Sequence, residues 1–149
     1  MKRVAFILIF AMFFILPAPG FPASFKVYPG AKVEEIYEAR QSETGAKMSK
    51  GPKVIIFTTN DFFENVVAFY RGTGREYRVP GSSGKPIKLP SGQELKEAYF
   101  IFDNAADLSS SNHWIKIQRP YLGKGQAVNR PGAARDVTAI IEEDKRSYP

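Results

Sequence analysis

The sequence predicts an α+β domain: a mainly antiparallel sheet of five or six strands with one main helix packed on one face. One segment, 62–72, has its apolar residues at helical spacing, and several shorter apolar or alternating segments lie around it. Most intervening loops are too short to hold the crossover helices that parallel strands need. Cysteine is absent, so the 149-residue chain cannot form disulfides and must rest on its hydrophobic core.

Short β-branched, aromatic or alternating segments predict the strands, at 54–57, 75–79, 97–103, 113–119 and 137–142. Residues 31–40 fit both a helical face and a strand, and we favour a strand because a Gly/Ser/Lys-rich link leads from it into an obvious one. Residues 80–92 and 120–135 are rich in glycine and proline and are predicted to be loops.

The stretch from Phe57 to Gly72, which runs from a strand end through the helix, is predicted to be a packing unit without chemistry. The helix has three candidate N-caps, Thr59, Asn60 and Asp61, and is expected to end at Gly72 in a left-handed C-cap. Its apolar stripe is expected to face the sheet and consists of Phe62, Phe63, Val66, Val67, Phe69 and Tyr70.

The first twenty residues have the pattern of a secretory signal peptide. Lys2 and Arg3 precede a continuously apolar stretch, 4–16, and residues 17–20 supply prolines and small residues before a cleavage point near Gly20. That stretch is shorter than the about 20 residues that a membrane-spanning helix needs. The sequence therefore predicts export to the periplasm or the extracellular space, without a stable membrane span after cleavage. An uncleaved anchor is the alternative.

The rest of the chain is predicted to form one domain with short additions. Residues 21–31 are a leader and turn, 32–143 the single α+β domain, and 144–149 a charged tail. In the turn, Tyr28-Pro29-Gly30 places proline second and glycine third, as a type II turn requires. Removal of the signal peptide lowers the net charge from +6 to about +4, which does not indicate nucleic-acid binding.

Catalytic and metal-binding signals are weak, and the sequence predicts no cofactor. His113 is the only histidine, so it cannot build a multi-histidine metal site, and it is expected to be a half-covered strand-end residue. Residues 82–85 match the S-x-x-K pattern of penicillin-recognising enzymes, but they lie in a Gly/Pro loop and no K-T-G follows. Asp103, Asn104 and Asp107 lack the spacing of a calcium loop and are expected to bond local amides.

Basic and aromatic residues carry the predicted binding surface. Arg71, Arg75 and Arg78 follow the helix closely, and the long loop 120–135 is flanked or lined by Arg119, Tyr121, Lys124, Arg130 and Arg135. Long loops of this kind are often functional, and guanidinium groups bind phosphates and carboxylates through paired hydrogen bonds. Trp114 is predicted on the strand face opposite Ile115 and Ile117, where it is a candidate contact if the helix covers the isoleucines.

These residues favour an exported binding domain without catalytic machinery, contacting an anionic envelope component or a protein partner through the basic loop. The alternative is a hydrolase with a carboxylate pair in a cleft, for which Glu64, Glu76 and Asp103 are available. A subunit of a larger assembly is a third possibility. No nucleic-acid partner is expected.

Four short motifs together resemble a group of small exported bacterial proteins of unassigned function. They are Tyr28-Pro29-Gly30-Ala31, the polar residues 58–61, the helical Val67-Ala68-Phe69-Tyr70 and Asp136-Val137-Thr138. In that group a Y-P-G-A start precedes a strand, a T-x-D helix ends near F-Y, and an R-D-V-T strand comes late. The resemblance covers nearly the whole mature chain and implies one exported α+β domain, with no catalytic residues assigned to it.

Overall fold

The computed structural model describes residues 24–38, 51–123 and 134–146. The predicted signal peptide (1–20), Lys124, Arg130 and residues 147–149 of the predicted tail lie outside these ranges. Within them the chain forms, in order, β1 (Lys32–Glu38), β2 (Lys53–Thr59), α1 (Phe63–Arg71), β3 (Arg75–Tyr77), β4 (Ile87–Lys88), β5 (Glu94–Ile101), β6 (His113–Arg119) and β7 (Thr138–Asp144).

The strands form an antiparallel sheet in the order β1-β2-β7-β6-β5-β3, and β4 pairs with the start of β5. The predicted antiparallel α+β fold is confirmed, with seven described strands where five or six were expected. The ambiguous segment after the turn is a strand, because β1 pairs with β2 along its length. No helix in the described part of the chain is both long and apolar enough to cross a membrane.

The helix covers one face of the sheet, as the apolar stripe predicts. Alternate residues of the central strands, among them Phe57, Ile115 and Ile117, form a buried cluster with Val66 and Tyr70 of α1. The residues between them face the other side, where Ile56 packs in a smaller cluster. This alternation follows from the two-residue side-chain period of a strand, so one helix leaves half of each strand's side chains to the second face.

The predicted N-caps, the left-handed conformation of the C-cap and one member of the apolar stripe are wrong, whereas the predicted helix end at Gly72 is confirmed. The residue before the first turn is Phe62, which cannot cap with its side chain and is 67% exposed. Asp61 does not cap the helix, because its carboxylate accepts a 2.6 Å hydrogen bond from the Tyr28 hydroxyl. The helix ends at Gly72, but with φ −81° in the right-handed region. Glycine is needed at position 74, two residues after the helix, because a Cβ there would lie 2.9 Å from the ring of Phe102.

The described end of the leader packs on the core. The ring of Phe25 stacks on Tyr70 at 5.9 Å and meets the edge of Phe102 at 5.5 Å. The type II turn that follows is confirmed by φ +77° at Gly30 and by the 3.0 Å hydrogen bond from the Ala31 amide to the Tyr28 carbonyl. The leader therefore contributes to the core beside the C-terminal half of α1.

Candidate functional site

Strands β6 and β7 carry an arginine-centred cluster at each end. At one end Arg119 closes β6 next to the predicted basic loop, and we call Arg119, Tyr121, Arg135 and Asp136 the loop base. At the other end His113 opens β6, and we call His113, Glu142, Asp144 and Arg146 the histidine cluster. The two clusters lie at opposite ends of one antiparallel strand pair, since His113 pairs with Asp144 and Gln118 with Ala139.

The loop base ties the two ends of the predicted loop together. Tyr121 and Arg135 exchange backbone hydrogen bonds of 2.9 and 3.0 Å, so the two ends of the predicted loop are joined to each other. The Arg135 guanidinium lies 5.3 Å over the Tyr121 ring and forms a 2.9 Å ion pair with Glu34. Tyr121 itself is buried. Both predicted contact residues thus have structural contacts.

Among the predicted binding residues that the structure describes, Arg119 makes the most hydrogen bonds. Its side chain is only 15% exposed, and it pairs with Asp136 at 2.9 Å. It also donates to the carbonyl oxygen of Asp61 at 2.7 Å, to that of Asn60 at 3.3 Å and to the Thr138 hydroxyl at 3.2 Å. These bonds join the segment before α1 to the start of β7, so the guanidinium acts as a structural cross-link.

An open depression of about 260 Å³ lies beside Arg119. Its lining consists of Phe62, Glu64, Gln93, Glu94, Lys96, Arg119, Pro120 and Asp136. Two of its carboxylates are paired with cations, Glu64 with Lys96 at 2.6 Å and Asp136 with Arg119. The hydrogen bond from Lys96 lowers the pKa of Glu64, which keeps that carboxylate ionised.

The arginines after the helix differ in how they are engaged. Arg71 forms a 2.7 Å ion pair with Glu76 on an exposed surface. Arg75 donates to the carbonyl oxygens of Ala105 and Ala106. Arg78 is exposed, and its charge helps to lower the pKa of Glu76, after the larger effect of the hydrogen bond from Arg71.

Trp114 was predicted only to lie on the strand face opposite Ile115 and Ile117; because Ile115 belongs to the cluster under α1, that face is the one away from the helix. It is half-buried, and its ring centroid is 6.4 Å from that of Tyr99. Its role as a contact residue stays a prediction.

The turn after β5 binds its own backbone, as expected for its Asp residues. Asp103 accepts hydrogen bonds from the Asn112 amide at 2.6 Å and the Ser111 hydroxyl at 3.0 Å. Burial raises the pKa of Asp103, but its hydrogen bonds outweigh burial and the net shift is downward. The hydroxyl of Ser109, at 2.7 Å, is the main cause that lowers the pKa of Asp107 to about 2.

The histidine cluster corrects the expectation that His113 is half-covered. His113 is 3% exposed, and its Nε2 lies 2.8 Å from Oε1 of the buried Glu142. Its Nδ1 lies 2.7 Å from Nη2 of Arg146, which also contacts Asp144 Oδ2 at 3.0 Å. Rings of Phe25 and Phe102 flank the imidazole at 5.6 and 5.3 Å. Two strands, the leader and the last described turn therefore enclose it.

The contacts of His113 determine which ring nitrogen carries the proton. A guanidinium has only donors, so Nδ1 beside Arg146 must be the acceptor. The proton of the neutral ring is then on Nε2, where it is donated to the Glu142 carboxylate. Among the described residues, His113, Glu142 and Asp144 form a group whose ligand atoms all lie within 4.8 Å of one another.

The sequence analysis missed the partners of His113. Glu142 and Asp144 alternate along β7, and the strand runs two residues further than predicted, into the segment assigned to a charged tail. Glu143 stands between them, so the sequence shows only a run of three acids, and nothing in it gave the register that sets Asp144 opposite His113. Comparisons with protein-family models, curated proteins and solved structures found no match. The resemblance to exported proteins of unassigned function therefore stays a prediction.

Proposed function

We propose that the protein is an exported, non-catalytic binding domain that holds an anionic component of the cell envelope through the basic loop 120–135. The observation that carries this proposal is the loop base. Reciprocal hydrogen bonds between Tyr121 and Arg135 close the loop on a rigid sheet end, and the sequence between them contains Lys124 and Arg130 but no acidic residue. An acid-free loop on a fixed base suits an anionic partner.

The loop base also assigns two different roles to the four predicted cations at and within the loop. Arg119 and Arg135 are engaged with Asp136, Glu34 and backbone carbonyl groups, so they fix the ends of the loop. Lys124 and Arg130 lie between these two ends in the sequence and are the proposed contact residues. Replacing all four cations together would confuse loss of the partner contact with loss of the loop base.

The hydrolase alternative receives less support from the depression beside Arg119. A carboxylic acid that protonates a leaving group needs a raised pKa. The pKa of Glu64 is instead lowered by Lys96, and the facing Asp136 carboxylate is paired with Arg119. Glu76 and Asp103, the other two acids considered for this role, also have lowered pKa values, because of Arg71 and of local hydrogen bonds respectively.

The test compares two double variants of equal charge. Lys124→Gln with Arg130→Gln removes the proposed contacts, and Lys85→Gln with Lys88→Gln removes two exposed cations from the loop and strand before β5. Binding is measured by cosedimentation with vesicles containing phosphatidylglycerol and by pull-down from solubilised envelope material. Each cation near an anionic surface contributes about 1 kcal/mol, so the loop variant is expected to bind roughly tenfold to thirtyfold more weakly.

The control variant is expected to bind within about twofold of the wild type, apart from the general effect of lower net charge. Equal losses in both variants would mean that net charge alone causes the binding, and would contradict the proposal. Full recovery of envelope material by the loop variant would contradict it as well. Loss in the pull-down without loss on vesicles would direct the search to an anionic protein or polymer.

A further inference from the structure

The histidine cluster has the arrangement of a metal ligand held by a supporting carboxylate. Glu142 accepts the Nε2 proton of His113 at 2.8 Å, which fixes the tautomer and leaves the lone pair of Nδ1 directed away from Glu142. Nδ1 and the Asp144 carboxylate converge on one position, which the Nη2 atom of Arg146 occupies at 2.7 and 3.0 Å. Two potential metal ligands, the imidazole and the Asp144 carboxylate, thus already contact the positive charge of Arg146.

We propose that this cluster binds a divalent transition metal ion of the zinc class, with His113 Nδ1 and the Asp144 carboxylate as protein ligands. In this proposal Glu142 orients the imidazole, and Arg146 is the resident cation that the metal ion displaces. An imidazole with a carboxylate suits Zn²⁺, Cu²⁺ or Ni²⁺, whereas Ca²⁺ and Mg²⁺ prefer sets of oxygen ligands. Ligand bonds of about 2.0–2.2 Å require only a small contraction around the position of Nη2.

Arg146 is suited to displacement by its position. Its side chain is 54% exposed, and its described hydrogen bonds go only to Asp144 and His113. Arg119, at the other end of β6, instead bonds several backbone carbonyl groups and is 15% exposed. Moving Arg146 into solvent therefore breaks its hydrogen bonds to His113 and Asp144, but no described hydrogen bond from its side chain to a backbone carbonyl group. It leaves a buried imidazole nitrogen and a carboxylate beside each other, ready for a cation.

A purely structural ion-pair network makes different predictions. If Arg146 serves only to neutralise Asp144 and cover His113, then removing it lowers stability and creates no affinity for metal. If it occupies the metal position, removing its charge raises metal affinity. The sign of the effect of Arg146→Gln therefore distinguishes the two roles, and no assumption about a physiological metal is needed.

The experiment uses the single histidine as its own reporter. Because His113 is the only histidine, the imidazole nitrogen signals of the purified protein belong to one ring. Titration with Zn²⁺ is expected to shift the Nδ1 signal while the Nε2 proton persists, and Co²⁺ is expected to give visible absorption from a nitrogen–oxygen site. Ca²⁺ is expected to leave both signals unchanged. With only two protein ligands, the wild-type protein is expected to bind Zn²⁺ weakly.

Three variants complete the test. Arg146→Gln is expected to bind Zn²⁺ at least tenfold more tightly than the wild type, and Arg78→Gln, which removes an exposed arginine after β3, is expected to bind like the wild type. Asp144→Asn, at the half-buried end of β7, is expected to weaken binding at least tenfold. Unchanged Zn²⁺ affinity in Arg146→Gln, or metal binding that leaves the imidazole signals in place, would overturn the proposal.

Discussion

The two ends of the β6–β7 strand pair use an arginine in opposite ways. At the loop base, Arg119 bonds to Asp136, to the Thr138 hydroxyl and to backbone carbonyl groups on the segment before α1. At the histidine cluster, Arg146 is mostly exposed and bonds only to side chains of β6 and β7 and to no distant carbonyl group among the described residues. Both arginines face a carboxylate at about 3 Å, so the ion pair alone does not separate their roles.

The difference lies in what each arginine leaves behind when it is removed. Removing Arg119 leaves the carbonyl groups of Asn60 and Asp61 without the donor that joins them to β6. Removing Arg146 leaves an imidazole nitrogen and a carboxylate, each of which can take up a proton, accept a hydrogen bond from water or bind a metal ion. The number of backbone acceptors therefore identifies a structural arginine better than its charge or its distance from an acid.

The largest effect is expected from Arg119→Met, which keeps the aliphatic volume and removes the donors. Hydrogen bonds to a charged group contribute about 1.5–3 kcal/mol each, less where solvent can replace them, so we expect a loss of roughly 2–4 kcal/mol in the free energy of unfolding. Urea unfolding monitored through Trp114 measures it. Arg71→Met is the control, because its ion pair with Glu76 is exposed to solvent and such pairs contribute little to the free energy of unfolding. Equal losses in the two variants would remove the distinction between the arginines.

An intermediate effect is expected from Phe25→Ala, which acts on the histidine cluster. The Phe25 ring contacts His113, Tyr70 and Phe102, so its removal opens the cover of the imidazole. A fully buried Phe→Ala change costs about 3–5 kcal/mol, and because Phe25 is only partly buried we expect roughly 1–3 kcal/mol. The Nε2 proton of His113 should also exchange with solvent faster, which NMR measures on a single ring.

Val27→Ala is the matched control for the leader, since Val27 is exposed two residues further along. It is expected to change the free energy of unfolding by less than about 0.5 kcal/mol and to leave the proton exchange of His113 unchanged. Unchanged exchange in Phe25→Ala would show that the leader does not protect the imidazole.

The fold could be predicted because its signals are local and repeated. The apolar spacing of α1 and the β-branched run of β2 each follow from the period of one element, and short loops then favour antiparallel pairing. The errors lie where one residue decides the outcome. Phe62, for example, precedes the first helical turn, so helical spacing does not place it on the buried face.

The candidate sites could be predicted only in part, for a different reason. The ends of the basic loop were identified by composition, but the composition does not show that Arg135 pairs with Glu34 on β1. Likewise, a lone histidine gave no indication of Glu142, which is 29 residues away in sequence. Such contacts depend on the register between strands, and register is fixed by the tertiary packing of whole faces.

The smallest effect is expected at the rim of the depression beside Arg119, from Lys96→Gln. The hydrogen bond from Lys96 is the largest cause of the lowered pKa of Glu64, so the variant should raise that pKa toward the ordinary value of 4.5. Because the pKa is lower in the folded state, the pair stabilises the protein above pH 4.5, and this contribution is lost as pH falls through the folded pKa. Both side chains are well exposed, so the difference at neutral pH should be under about 1 kcal/mol. Carboxyl NMR titration and unfolding at pH 7 and pH 3 measure it, and a stability difference that grows at pH 3 would contradict the assignment.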